Sequence, residues 1–304
     1  MPVDPERWKK VWDACPWATA FASPLWHAVT EEIEPSDASF EYKGIITPLR
    51  KIKLAKGFIR GYESTVPGVA AGPVSRETPD DQTIDEYWQE LNRRTSGRFL
   101  VHLRPDSPFI RTEFKKLAIP THLAKIKERK ERISRHHRRK IKKAQEAGIR
   151  VSPARRETDF EAYMEMYEAS LKRWRKRPAR VYSKEFFDRA REVLLPADAA
   201  CFFMAWDAEL PQAGAFLLYE TKRTVYWHGV SVERPAAGAA HLLHWAIMED
   251  SERRGMEEYD FGPSPGLLGV ERFKQGFGTQ TEDQITVLGP AKLFSSYFLK
   301  RTNR

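Results

Sequence analysis

Residues 224–279, TVYWHGVSVERPAAGAAHLLHWAIMEDSERRGMEEYDFGPSPGLLGVERFKQGFGT, decide the fold of this chain. Residues 224–232 are rich in β-branched and aromatic side chains and follow the turn-forming Thr221-Lys222-Arg223, which predicts a strand. Pro235, Ala236, Ala237 and Gly238 interrupt it. Over 239–254, Leu242, Leu243, Ala246 and Ile247 share one helical face and Glu249, Glu252 and Arg253 the other, with Gly255 as the stop. Residues 258–261 form a short aromatic strand that opens through Gly262-Pro263-Ser264-Pro265 into a loop. A strand that feeds a helix through small residues leaves the helix's first N–H groups unpaired, and such a terminus attracts anions. Arg234 and the amides of Gly238 and Ala239 are therefore candidate phosphate holders.

Upstream, residues 200–206, 212–220 and 224–232 are separated by Asp207-Ala208-Glu209 and Thr221-Lys222-Arg223, and predict an antiparallel meander. Two helices precede it. Thr158 and Glu161 form a capping-box pattern for the first, whose Phe160, Tyr163, Met164, Tyr167, Leu171 and Trp174 recur at three and four. Ser183 caps the second, which carries Phe186, Phe187, Ala190 and Val193. Between them, residues 173–178 (RWRKRP) read as a basic loop able to meet phosphates. Residues 125–143 hold eleven Lys or Arg against Glu128 and Glu131, with Ile126, Ile133, Ile141 and Ala144 as a narrow apolar stripe, and predict one helix with a wide cationic face. That face either tracks a phosphate backbone, as RNA binding requires, or is simply solvated.

The first third reads as a mixed domain: helices over 6–12 and from Ser23-Pro24, a strand over 44–54, a glycine-rich stretch over 57–73, a helix over 85–94 and a strand over 99–103. The glycines bring the backbone close to a substrate or make tight turns. Residues 284–288 and 291–301 add a last strand and helix. At 304 residues, two domains are expected. A formal charge of +9 favours anionic partners without choosing among them. Cys15 and Cys201 lack metal-ligand spacing and read as buried free thiols. Neither an apolar signal core nor a run of eighteen apolar residues occurs, so a cytoplasmic protein without an integral membrane segment is expected, peripheral membrane contact remaining open.

Two segments carry a family resemblance. Tyr259-Asp260-Phe261-Gly262 followed by Arg272-Phe273-Lys274-Gln275-Gly276-Phe277-Gly278 resembles the paired signature of the FemABX branch of the GNAT acyltransferase superfamily, the peptidoglycan-bridge aminoacyltransferases and their relatives. The basic segment 134–151, SRHHRRKIKKAQEAGIRV, is similar to a second motif of that branch. The loop from Arg234 to Ala240 resembles the GNAT pyrophosphate loop, with one extra residue between Arg234 and Gly238. The resemblance covers roughly residues 130–280. It implies an α+β fold of tandem GNAT-like domains, each a twisted mixed sheet flanked by helices: a degenerate, acceptor-side domain over 1–121, a second domain over 122–283, and a tail over 284–304 packing back on the first. It implies a cell-envelope type of chemistry with aminoacyl-tRNA or acyl-CoA as co-substrate and no tightly bound cofactor. The acceptor would be a small-molecule, peptide or cell-wall-precursor amine, and tRNA a partner. The inserted coiled-coil arm of some members has no counterpart here.

No Ser-His-Asp spacing, HExxH, CxxC pair or Walker loop supports a covalent or metal mechanism, and no metal site is expected. Acyl transfer to an amine needs a deprotonated nucleophile, a stabilised oxyanion and a proton for the leaving group. The resemblance points to Lys274 for the negative charge, with Phe273 packed beside it. Asp260, at a strand end, positions the amine, accepts a proton, or caps the following loop. His228 is either a base facing the cleft or a hydrogen-bonded core histidine, and Tyr226 is expected on its face, lining the same cleft. Arg135, Arg138, Arg139 and Lys142 are the RNA-binding candidates. Two alternatives stand beside the aminoacyltransferase: a conventional acetyl-CoA-dependent N-acetyltransferase, and a non-catalytic RNA-binding protein on a transferase scaffold.

Overall fold

The computed structural model describes residues 3–33, 35–66, 69–173, 181–264 and 266–302. The backbone divides into two compact units, Met1–Pro120 with Glu282–Arg304, and Thr121–Thr281. In chain order the elements of the first unit are α1 (Pro5–Ala14), α2 (Pro24–Ile33), β1 (Phe40–Tyr42), β2 (Ile45–Thr47), β3 (Arg50–Leu54), β4 (Ile59–Glu63), α3 (Asp81–Thr95) and β5 (Phe99–Leu103). Then β6 (Lys115–Lys125) crosses the boundary at Thr121. The second unit continues with α4 (Arg129–Arg132), α5 (Arg135–Glu146), β7 (Arg150–Pro153), α6 (Glu157–Arg173), α7 (Lys184–Leu194), β8 (Ala200–Asp207), β9 (Leu210–Tyr219), β10 (Arg223–Ser231), α8 (Ala239–Arg253), β11 (Glu258–Pro263) and α9 (Leu268–Gln275). Finally β12 (Gln280–Leu288) and α10 (Lys292–Thr302) lead back into the first unit.

In the first unit β3 and β4 are antiparallel, β4 and β5 parallel, and β5 and β12 antiparallel. The strand expected over 44–54 is two strands, because Pro48 cannot donate to a ladder and the chain turns there. Two of the glycines of 57–73, Gly61 and Gly72, are explained by packing. A Cβ at Gly61 would fall 2.2 Å from the Phe294 ring of α10, and one at Gly72 2.6 Å from Leu103. Buried Glu63 lies between Arg50 at 2.9 Å and His102 at 3.3 Å, and His102 reaches Thr286 of β12 at 2.8 Å. The C-terminal segment thus closes both the apolar and the polar interior of this unit.

In the second unit the order is β6-β11-β10-β9-β8-β7, antiparallel throughout except for the parallel β10–β11 pair. Helices cover both faces, which explains continuous apolar runs such as Cys201-Phe202-Phe203-Met204. Phe203, Ala205, Ala215, Leu217, Tyr259 and Phe261 pack on Ile141 and Ala144 of α5 and Leu243 and Ile247 of α8. Phe202 and Phe216 meet Tyr163 of α6 and Phe187 of α7 on the other side.

Three local expectations are corrected. The basic segment 125–143 is a strand end, the short turn α4 and the helix α5, broken at Ser134, whose side chain accepts the His137 amide and whose own amide goes to the Gly276 carbonyl. Helix α6 begins at Glu157, and its start is capped by Asp159, which reaches back to the amides of Arg155 and Arg156 at 3.0 and 2.9 Å, rather than by the Thr158–Glu161 box. Strand β6, with Pro120 in its sequence, was not expected. Cys15 is buried and Cys201 half-buried; both thiols are free, and burial raises them, Cys201 to about 11. Trp174 and most of the basic loop 173–178 lie outside the described residues.

Candidate active site

Strands β10 and β11 pair only from Arg223↔Glu258 to Val225↔Asp260. Each then departs from regular pairing with its other neighbour. On β10 the register against β9 shifts between Tyr226↔Leu217 and His228↔Phe216, so Trp227 is an extra residue. On β11 the register against β6 shifts between Asp260↔Leu123 and Pro263↔Thr121, setting Phe261 and Gly262 opposite His122 alone. Bulges of this kind end pairing and re-aim side chains, and they are over-represented beside active sites.

Lys274 exploits the released backbone. It is buried, and its Nζ donates to the carbonyls of Gly262 at 2.9 Å and Pro263 at 3.0 Å. Burial lowers its pKa to about 8, against the favourable pull of Asp260. At neutral pH it is still mainly an ammonium, poorly hydrated and held by neutral carbonyls, a state that favours any negative charge brought beside it.

Phe273 packs among His137, His241, His244 and Phe277, and its carbonyl accepts from His137 Nε2 at 2.9 Å. The His137 ring also lies where a Cβ on Gly276 would be, 2.1 Å away. This contact gives a physical reason for the basic segment and the FKQGFG segment to occur together: each supplies half of one interlocked surface. Asp260 is buried; its Oδ1 accepts from Thr121 Oγ1 at 2.6 Å and from the Gly262 amide at 2.8 Å, and Arg223 stands 3.8 Å from Oδ2. It shapes the bulge by capping it.

The expectation that Tyr226 and His228 share a face is corrected by the β10 bulge, which puts the extra residue between them. Tyr226 turns toward α8, 4.7 Å from the His244 ring, with its hydroxyl lying over Gly229. His228 turns toward α6 and α7, where Nδ1 is 2.6 Å from Tyr163 Oη inside a shell of Tyr167, Tyr182 and Phe187. Burial lowers its pKa to about 3. The structure does not bring His228 to Lys274.

At the start of α8, Gly238 has φ +93° and a Cβ there would fall 2.2 Å from the Lys140 carbonyl of α5. The Ala239 amide bonds Ala236 O at 3.0 Å, and the Ala236 amide bonds Gln212 Oε1 at 2.8 Å. A main-chain carbonyl and internally satisfied amides thus occupy part of the expected anion cradle. Arg234 is exposed. On α5, Arg135, Arg138, Arg139, Lys142 and Lys143 are exposed; Arg138 donates to Lys130 O at 2.7 Å and Lys142 pairs loosely with Glu146 at 3.6 Å.

The sequence reading missed His122. It is 4 % exposed on β6, opposite the β11 bulge, and its Nδ1 has no hydrogen-bond partner. Burial lowers its pKa, Lys274 lowers it further, and Glu271 and Asp260 oppose this. Ser264, just past β11, is likewise buried with an unpartnered Oγ. Leaving such a group unsatisfied costs roughly 1–3 kcal/mol. The only sequence signal was a histidine in the unassigned run Pro120-Thr121-His122-Leu123.

Residues 131–275 match the model of the acetyltransferase (GNAT) domain family. No curated protein matches the sequence significantly. Among solved structures the chain is similar to FemX, with a TM-score of 0.71 and 12 % identity over 97 % of this chain and 98 % of that one. It is also similar to the C-terminal domain of a protein described as a lysylphosphatidylglycerol synthetase from Agrobacterium fabrum (TM-score 0.67, 12 % identity, 98 % and 95 % covered). A third similar structure is L-PGS from Bacillus licheniformis (TM-score 0.61, 10 % identity, 99 % and 98 % covered). No described helix is long and apolar enough to cross a membrane. The match over 131–275 makes that part of the second unit a GNAT-type acyltransferase domain, and the likeness to FemX shows a FemX-like fold over nearly the whole chain.

Proposed function

We propose that the chain moves an aminoacyl group from aminoacyl-tRNA to a primary amine, with Lys274 stabilising the charge that develops on the acyl carbonyl oxygen. The observation that carries this reading is a buried ammonium held, among the described residues, by two strand-end carbonyls. Attack by the amine turns the carbonyl oxygen into an oxyanion, and a preorganised cation in a dry site lowers the barrier to that step. Holding donor and acceptor together supplies much of the remaining acceleration. Asp260 keeps the bulge in place, and Phe273 with Tyr226 walls the site.

Two observations favour tRNA as the donor. The Lys140 carbonyl beside Gly238 disfavours a pyrophosphate at that point. The exposed cations of α5 stand on the helix that interlocks with α9, so a polyanion along α5 would reach the motif that carries Lys274. Similarity to a protein named as a lysylphosphatidylglycerol synthetase agrees with an aminoacyl cargo. The acceptor would be a small-molecule, peptide or cell-wall-precursor amine, reached in the cytoplasm or at a membrane surface. The second reading keeps acyl-CoA as donor, favoured by the acetyltransferase family match, with Arg234 and the first turn of α8 holding its phosphates.

A donor screen separates these readings. Total aminoacylated tRNA is expected to bind at low salt and to lose its aminoacyl group to added primary amines, while coenzyme A leaves the melting temperature unchanged. A rise of several degrees with coenzyme A and no tRNA binding would transfer the assignment to the acyl-CoA reading. Salt-steep tRNA binding without any transfer would leave a non-catalytic RNA binder. For the tRNA reading, Arg135→Glu with Arg139→Glu is expected to flatten the slope of log K against log salt by about 1 to 2, since each lost phosphate contact removes roughly 0.7–0.9. An unchanged slope would remove α5 from the RNA path.

A further inference from the structure

We propose that His122 is the general base of the transfer reaction, taking the proton from the acceptor amine while Lys274 holds the carbonyl oxygen. The assignment rests on the transferase reading above and adds a residue that lies outside both family-like motifs. Of the four buried histidines among the described residues, three already hold a hydrogen bond: His102 to Thr286, His137 to the Phe273 carbonyl and His244 to Tyr259 Oη at 2.8 Å. His122 holds none. It stands opposite Phe261 and Gly262, and Gly262 gives its carbonyl to Lys274 Nζ, so imidazole and ammonium border one bulge.

The charged groups facing His122 are Lys274 and Glu271 from α9 and Asp260 from β11. Asp260 is already engaged by Thr121 and the Gly262 amide, while the Lys274 ammonium and the Glu271 carboxylate act on the ring in opposite senses. Burial and that cation both disfavour the imidazolium, so at neutral pH the ring is present as the base. The unpartnered Ser264 Oγ next to the same strand end offers a second polar contact that a substrate would complete.

The step balances without any co-reactant. The amine nitrogen attacks the acyl carbon and a C–N bond forms; the ester C–O bond, or the C–S bond of a thioester donor, breaks. The N–H proton passes to His122 and from there to the departing oxygen or sulfur, which restores the neutral imidazole.

The test uses the full chain with total aminoacylated tRNA and acetyl-CoA as donors and methylamine as acceptor. His122→Gly is expected to lower kcat by about 10²–10⁴, with the donor KM changed less than about threefold, and added imidazole is expected to recover part of the rate. The acid limb of the wild-type kcat/KM profile should disappear in the variant. A folded variant within threefold of the wild-type rate, or one that imidazole fails to rescue and whose pH profile is unchanged, overturns the assignment while leaving Lys274 and the transferase reading standing. Absence of wild-type transfer from either donor sinks the transferase reading, and the base with it. Independently of turnover, the His122 ring proton followed by NMR should titrate below 6.5, the ordinary histidine value, and move upward in Lys274→Met. A ring that titrates above that value and ignores the Lys274 variant is not in the site.

Discussion

Lys274→Met is expected to lower the acyl-transfer rate by roughly two to three orders of magnitude, the loss typical of removing one preorganised oxyanion donor. Methionine keeps most of the apolar volume, so the variant should fold. The change should fall on kcat, because the ammonium matters most where charge develops. Stability offers a second readout that needs no substrate. The folded state holds Lys274 near pKa 8 while the unfolded chain holds it near 10.5. Between these values the unfolded state binds the extra proton, so raising the pH stabilises the folded form; below pH 8 both states are protonated and the buried charge is a constant penalty. Wild type should therefore gain on Lys274→Met by roughly 3 kcal/mol between pH 8 and 10.5. Parallel pH–stability curves for the two proteins would mean that the ammonium is solvated, and the catalytic assignment would lose its physical basis.

The second large effect is structural. Gly238→Ala combines a left-handed backbone, φ +93°, with a methyl group 2.2 Å from the Lys140 carbonyl and 3.1 Å from Ala144 Cβ. Neither neighbour is the end of a flexible side chain, so α5 must move away from α8. A loss of roughly 3–5 kcal/mol is expected, equivalent to a fall in melting temperature of about 10 °C. Gly255→Ala is the matched control: its φ is +79°, yet nothing lies within 4 Å of the added Cβ. It should cost only about 1 kcal/mol. If both variants lose the same amount, backbone strain alone acts and the α5–α8 contact at Gly238 is looser than described.

The second unit was largely legible because its elements announce themselves. Periodic aromatics mark α6, Ser183 starts α7, and short turns separate three apolar strands. The site was legible where a motif names a residue, as at Lys274, and illegible where a bulge decides. Alternation puts Tyr226 and His228 on one face; a single extra residue at Trp227 separates them, and no composition rule marks that residue. His122 was hidden for a related reason. Its strand contains Pro120 and little β-branched character, and its importance comes from β11, which lies far along the chain. The basic stretch 125–143 misled because charge density resembles a continuous helix, whereas Ser134 ends one element and begins another.

The return of residues 282–304 to the first unit dictates an order of events during synthesis. Thr286 and Phe294, which complete the polar and apolar interior of that unit, leave the ribosome only after the whole second unit has emerged. Nascent residues 1–120 therefore wait, incomplete and with the His102 side chain lacking its Thr286 partner, while residues 121–281 emerge with their own interior complete. A change that disturbs α10 should accordingly harm the earlier-made residues 1–120 more than the second unit.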